Sequence, residues 1–287
     1  MAVYKRGYER YDGPLTSHTT RLLAMPRFAW ARLMDQKLVV ILLALSMLWP
    51  LLCGGFIYLA NHLSLLQGFG GNDLGKMVEI NGKFFLIFMN TQAVFSVLLA
   101  ALTGPGLIAP DLANNALPLY FSRPLTRLDY VGARMAVLVG LLSMITWIPG
   151  LFLFIMQSSM AGGTWFAANW SLGVAIVGGF LLWIALLSMV ALTCSAWVKW
   201  RIVAGALVLG FFFILAGVSQ MVNSILRVEF GTLINPTRAM YIIWSAMLGV
   251  EVPSGPTPWE CVSVLAALVV VLAMILERKL RPVEVIS

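Results

Sequence analysis

The sequence predicts an all-α, polytopic membrane protein with six transmembrane helices. Three observations predict it: an apolar composition, six separate runs long enough to cross a bilayer, and a one-sided distribution of basic residues. Hydrophobic residues make up 60% of the chain and charged residues 11%, with a mean hydropathy of +0.90. A water-soluble fold has no interior large enough to hide that much apolar surface. A helix of about 20 apolar residues crosses about 30 Å of hydrocarbon and satisfies its own backbone hydrogen bonds there, which a barrel strand cannot do alone.

The spans are expected at about 38–60, 84–109, 135–160, 172–198, 202–223 and 259–277, forming one transmembrane domain over 38–277. Residues 1–37 form a polar, basic N-terminal segment without the apolar core of a cleavable signal peptide, and 278–287 form a short tail. Within the N-terminal segment, Trp30, Leu33 and Met34 fall on one face at helical spacing, with Arg32, Asp35 and Gln36 opposite. That pattern suits an amphipathic helix lying along the membrane surface before the first span, although Phe28 breaks it.

Orientation follows from the basic residues. Of the nineteen Lys and Arg residues, fifteen lie in the N-terminal segment, the second and fourth connections and the tail. The opposite loops hold Lys76, Lys83, Arg227 and Arg238. The positive-inside rule therefore places both termini in the cytoplasm of a cell (inner) membrane protein. The net charge of +7 is accounted for by topology and by attraction to membrane lipids, and gives no reason to expect a nucleic-acid partner.

No catalytic residue and no metal site is expected. No Asp, Glu, Lys, Arg or His lies in the interior of the spans, which argues against a proton relay or a voltage sensor. His18 and His62 fall on opposite predicted sides of the membrane, so they cannot share a metal. The methionines form no tight run with a histidine partner. Cys53, Cys194 and Cys261 each lie in a span, as small apolar filler. Gly75-Lys76 and Gly82-Lys83 lack the glycine spacing and the following hydroxyl of a phosphate-binding loop, so this chain has no ATP-binding motif of that kind.

The connection between the second and third spans is long and half apolar. Asp111 is placed to cap a short helix that Pro118 bends or limits, and Pro124 forces Arg123 into an extended conformation. Thr126, with Asp129 three residues on, is expected to cap a helix leading into the third span. Leu117, Leu119, Tyr120 and Phe121 give the short helix an apolar face, suited either to a groove on a soluble partner or to the headgroup layer.

Ser122-Arg123-Pro124-Leu125-Thr126-Arg127 and Gly132-Ala133-Arg134 resemble the signature region of type-2 ABC exporter permeases. In that family an acidic residue, a short coupling segment, a Ser-x-Pro-x-Ser-Arg-like turn and a Gly-x-Lys/Arg close precede the third span. Asp111 stands where the family usually has Glu, Asn115-Ala116 replaces a common Gly-Thr pair, and Pro110 and Pro118 are additional. The resemblance implies an elbow helix before the first span and a coupling helix around Asp111 to Phe121. That helix would dock on a separate ATP-binding subunit, with Arg123 and Arg127 beside the contact. ATP and Mg would belong to that partner, and a second permease copy or a paralogue would complete a dimer.

Polar residues cluster on the second span as Asn90, Thr91, Gln92 and Ser96, and on the fifth as Ser219, Gln220 and Asn223. In hydrocarbon they need partners, so they face other helices or a watery path. The resemblance implies that these two spans line the path at a dimer interface; helix-to-helix bonding is the competing role. Gly104-Pro105-Gly106 is expected to bend or unwind the second span. Between the fifth and sixth spans, an apolar stretch over 239–250 is too short to cross the membrane. It is either a re-entrant or surface helix or an interfacial loop anchored by Tyr241 and Trp244. Two functional readings remain open on the sequence: an ATP-driven permease subunit working by alternating access, and a non-transporting scaffold of a larger membrane complex. A membrane enzyme, lacking candidate acids or nucleophiles, ranks third.

Overall fold

A computed structural model describes residues 18–62, 79–114, 116 and 126–279, with side chains from Pro26 onward apart from that of Arg127. Among these residues there are helices and no strands. In chain order the helices are α1 (His18–Met34), α2 (Lys37–Asn61), α3 (Gly82–Thr103), α4 (Pro105–Ala113), α5 (Arg127–Ile145), α6 (Trp147–Ala161), α7 (Gly163–Trp197) and α8 (Arg201–Leu226). A short 3-10 turn (Phe230–Ile234) then leads to α9 (Pro236–Met247) and α10 (Pro258–Lys279). Taking α3 with α4 and α5 with α6, six helical stretches are long and apolar enough to cross a membrane. The chain is a multi-pass membrane protein of the all-α class.

The spans divide by burial. α2 buries Val39, Ser46, Pro50, Cys53 and Ile57 on one face and exposes Leu38, Ile41, Leu45, Leu48 and Leu52 on the other. A helix apolar on both faces stands between a packed interior and lipid. α7 is the central post, touching α3, α4, α5, α6, α8, α9 and α10. Its 35 residues would extend roughly 50 Å, well beyond the hydrocarbon thickness. Small residues allow the close approaches that membrane helices need in place of a hydrophobic drive. A Cβ on Gly179 would come within 2.8 Å of the Trp244 ring, and one on Gly173 within 3.0 Å of Phe154. A Cβ on Gly104 would meet that of Ala191 at 2.7 Å.

Several boundaries differ from those expected. The third and fourth spans are joined at Gly162 alone, with φ +89°, and α7 begins at Gly163 instead of near Leu172. Nothing in Gly163–Ser171 breaks a helix, and the positive φ that glycine tolerates turns the chain in one residue. The third span, expected to be continuous, is interrupted at Thr146. The second span is interrupted at Gly104, which keeps helical dihedrals (φ −53°, ψ −47°), so the backbone there is not unwound. α4 continues to Ala113, and Asp111 sits in its last turn instead of capping a new helix.

α1 packs Trp30, Leu33 and Met34 toward the bundle, chiefly against α5, where Trp30 lies over Gly140. Phe28 points outward. The stretch between the fifth and sixth spans is a packed helix, not a loop. Asn235 caps α9 by accepting from the N–H groups of Thr237 and Arg238 at 3.1 and 3.3 Å. Trp244 is 2% exposed between Phe180 and Trp183, so it is a core residue instead of an interfacial anchor.

α8 approaches the α3–α4 junction so closely that a Cβ on Gly205 would lie 2.6 Å from the carbonyl oxygen of Ala101. Gly205→Leu is expected to lower thermal stability by about 1–3 kcal/mol through overpacking, while Gly217→Leu, facing open space, should change it little. Thermal unfolding of both variants in the same detergent checks this.

Candidate functional site

Proline in a helix removes the N–H that the carbonyl four residues earlier would receive. Pro50 in α2 leaves Ser46 O without its partner, and Pro149 in α6 does the same to Ile145 O. The side chain of Gln92, on α3 between them, meets both. Its Nε2 donates to Ser46 O at 3.1 Å and to Ile145 O. A carboxamide has two N–H donors, and here each goes to one proline-orphaned carbonyl. Gln92 is fully buried, and its Oε1 accepts nothing among the described residues, so the residue acts through donation.

The other polar residues expected to line a path behave in two ways. Ser96 is fully buried; it accepts from Trp183 Nε1 at 2.7 Å and donates to Ala93 O at 2.6 Å. Asn223 donates to Thr232 Oγ1 at 3.1 Å, tying the end of α8 to the 3-10 turn. Gln92 and Ser96 are thus buried inside this chain, where their side chains bond to other helices. Asn90 on α3 and Gln220 on α8 are exposed, and neither side chain makes a hydrogen bond with the described residues. Asn90 shares its exposed face with Ile87, Val94 and Leu98, at helical spacing.

At the other candidate region, Thr126 caps α5 as expected. Its hydroxyl accepts from Asp129 N at 3.2 Å, and Asp129 Oδ2 accepts from Thr126 N at 2.9 Å. Arg127 opens that helix. Leu117, Leu119, Tyr120, Phe121 and Arg123 lie outside the described residues. Asp111 accepts from Tyr130 Oη at 2.6 Å and forms an ion pair with Arg134, whose guanidinium also lies over the Tyr130 ring, 5.2 Å from its centre. This charge-assisted pair is mostly shielded from solvent and joins the end of α4 to the start of α5. The ends of the intervening segment are thereby held together.

Ser195, Tyr130 and Arg201 were not singled out by sequence. Ser195 Oγ accepts from Ile108 N and Ala109 N at 3.3 and 3.0 Å and donates to Pro105 O at 3.1 Å, so α7 is tied to the first turns of α4. Arg201 donates to Leu102 O at 3.1 Å and to Gln36 Oε1. Nothing in a lone serine or arginine marks such pairings; the prolines were the readable half of the signal.

The arrangement defines a class, a six-span helical membrane protein whose interior polar groups serve packing. Six apolar spans are compatible with a subunit of a membrane transport system. No protein-family model matches the chain, and no curated protein matches it either.

Replacing Gln92 with Met removes both donors at similar volume and is expected to cost about 1–3 kcal/mol of stability. In a Pro50→Ala/Pro149→Ala background, where each carbonyl regains a main-chain N–H, the same replacement should cost clearly less. Thermal unfolding of the four proteins gives the coupling directly, and equal costs in both backgrounds would remove this role for Gln92.

Proposed function

We propose that the chain is the permease subunit of an ATP-driven ABC exporter, acting as a dimer with separate ATP-binding subunits. The observation that carries the reading is the segment between α4 and α5, whose sequence resembles the signature region of type-2 permeases. The Asp111–Arg134 pair and the Thr126–Asp129 cap fix its two ends side by side. A segment so anchored can pass a push from a soluble partner into two spans at once. In this reading both termini are cytoplasmic, Leu117, Leu119, Tyr120 and Phe121 meet the ATPase, and Arg123 and Arg127 flank the contact. ATP and Mg are held by the partner.

The exposed edge of α3 and α8, with Asn90 and Gln220 unpaired among the described residues, is the face offered to the second copy or paralogue. A polar side chain exposed within an apolar span gains from a partner across a helix interface. Alternating access would then open a path between copies instead of through one chain, in keeping with the interior burial of Gln92 and Ser96.

That burial also favours the second reading, a scaffold in a larger membrane complex, because it leaves fewer polar groups for a path. The two readings part on partners. Isolation of the tagged chain from native membranes in mild detergent should recover an ATP-binding subunit with ATPase activity. Changing Leu117, Tyr120 and Phe121 together to Asp should abolish that recovery while the chain itself stays in the membrane. Recovery of a large assembly without any ATPase would instead establish the scaffold.

Cysteine at Asn90 is expected to form a disulfide-linked dimer under mild oxidation in membranes, whereas cysteine at Phe152, on the exposed face of α6, should not. Non-reducing gels read the result.

A further inference from the structure

Independently of the function proposed above, we propose that the turn between α7 and α8 is a binding site for the headgroup of an anionic phospholipid. Val198, Lys199 and Trp200 make up this connection, which leaves Trp197 and Trp200 standing 62% and 75% exposed on either side of Lys199. Two neighbouring elements add cations to it. Lys279, at the end of α10, places its Nζ 5.6 Å from the centre of the Trp197 ring. On the other side Arg201 bonds Gln36, which brings the start of α2 and its Lys37 to the same corner.

These contacts bring together Lys37, Lys199, Arg201 and Lys279, and none of the four forms an ion pair among the described residues. The surface changes character within one residue of them: Leu38 and Ile202, which follow Lys37 and Arg201, are 66% and 87% exposed and apolar. Cations and indoles directly above exposed aliphatic side chains match a molecule with an anionic head and hydrocarbon tails. An acidic soluble protein would satisfy the charges and leave Leu38 and Ile202 uncovered. Indoles favour the interfacial depth, where the ring is half apolar and its N–H is wet, and basic pockets between spans hold anionic headgroups.

Native mass spectrometry of the detergent-purified chain, loaded with equal amounts of phosphatidylglycerol and phosphatidylcholine, tests the site. The chain should retain phosphatidylglycerol preferentially. Lys199→Gln with Lys279→Gln should weaken that retention about fivefold for each lysine removed. Lys83→Gln with Arg238→Gln removes the same charge from the opposite end of the bundle and should leave retention unchanged. Equal retention of the two lipids by the unaltered chain would overturn the proposal. So would an equal loss in both double variants, which would show general charge attraction instead of a site.

Discussion

Gln92 gives both N–H hydrogens of one carboxamide to the carbonyls that Pro50 and Pro149 leave without main-chain donors. Three spans meet at that point, and two of them are interrupted there in their hydrogen bonding. In hydrocarbon no water can take over for a missing N–H, so two prolines at separate sites would each carry an unmet carbonyl. Sharing one donor group brings α2, α3 and the α5–α6 junction into fixed register. The halves of α2 and α6 beyond the prolines then pack on one another, with Gly54 against Leu153 and Met156, and Asn61 Nδ2 donating to Gln157 Oε1 at 2.8 Å.

The break between α3 and α4 follows the same logic with different partners. Pro105 leaves Ala101 O without an N–H, and the close approach of Gly205 covers that oxygen. Ser195 from α7 accepts from the N–H groups of Ile108 and Ala109 in α4, and Arg201 from α8 donates to Leu102 O. Each interruption is thus supported by side chains from other spans, which ties the helix directions to tertiary contacts. α7 is able to serve as the post for these contacts because its glycines and alanines admit neighbours at short range.

These supports sit at the end of the bundle where the α4–α5 segment emerges. Asp111, Tyr130 and Arg134 close that segment at its base, while Arg201 links the same end to the α1–α2 turn through Gln36. Bonded side chains thus connect α4 to α5, and α8 to α3 and to the α1–α2 turn, at this one end of the bundle. The opposite end is closed differently, by α9 folded against α7 and α10 with Trp244 in its core.

Sequence alone determined the class and the number of spans, because run length and apolar content answer directly to the thickness and dryness of a bilayer. It also determined the cap of α5, since Thr126 and Asp129 act on backbone groups three residues away. The fate of the polar residues inside the spans was decided by tertiary structure. Asn90 and Gln92 are two residues apart on one helix, yet one faces outward and the other heals two distant prolines. The positions of Pro50 and Pro149 disclose which carbonyls lack donors, but which side chain reaches them depends on how three helices pack. Likewise Gly162 reads as an ordinary glycine until its positive φ places two spans back to back. Local rules act within one helical turn and are written in the chain; the donors that complete broken helices come from other helices, and only packing selects them.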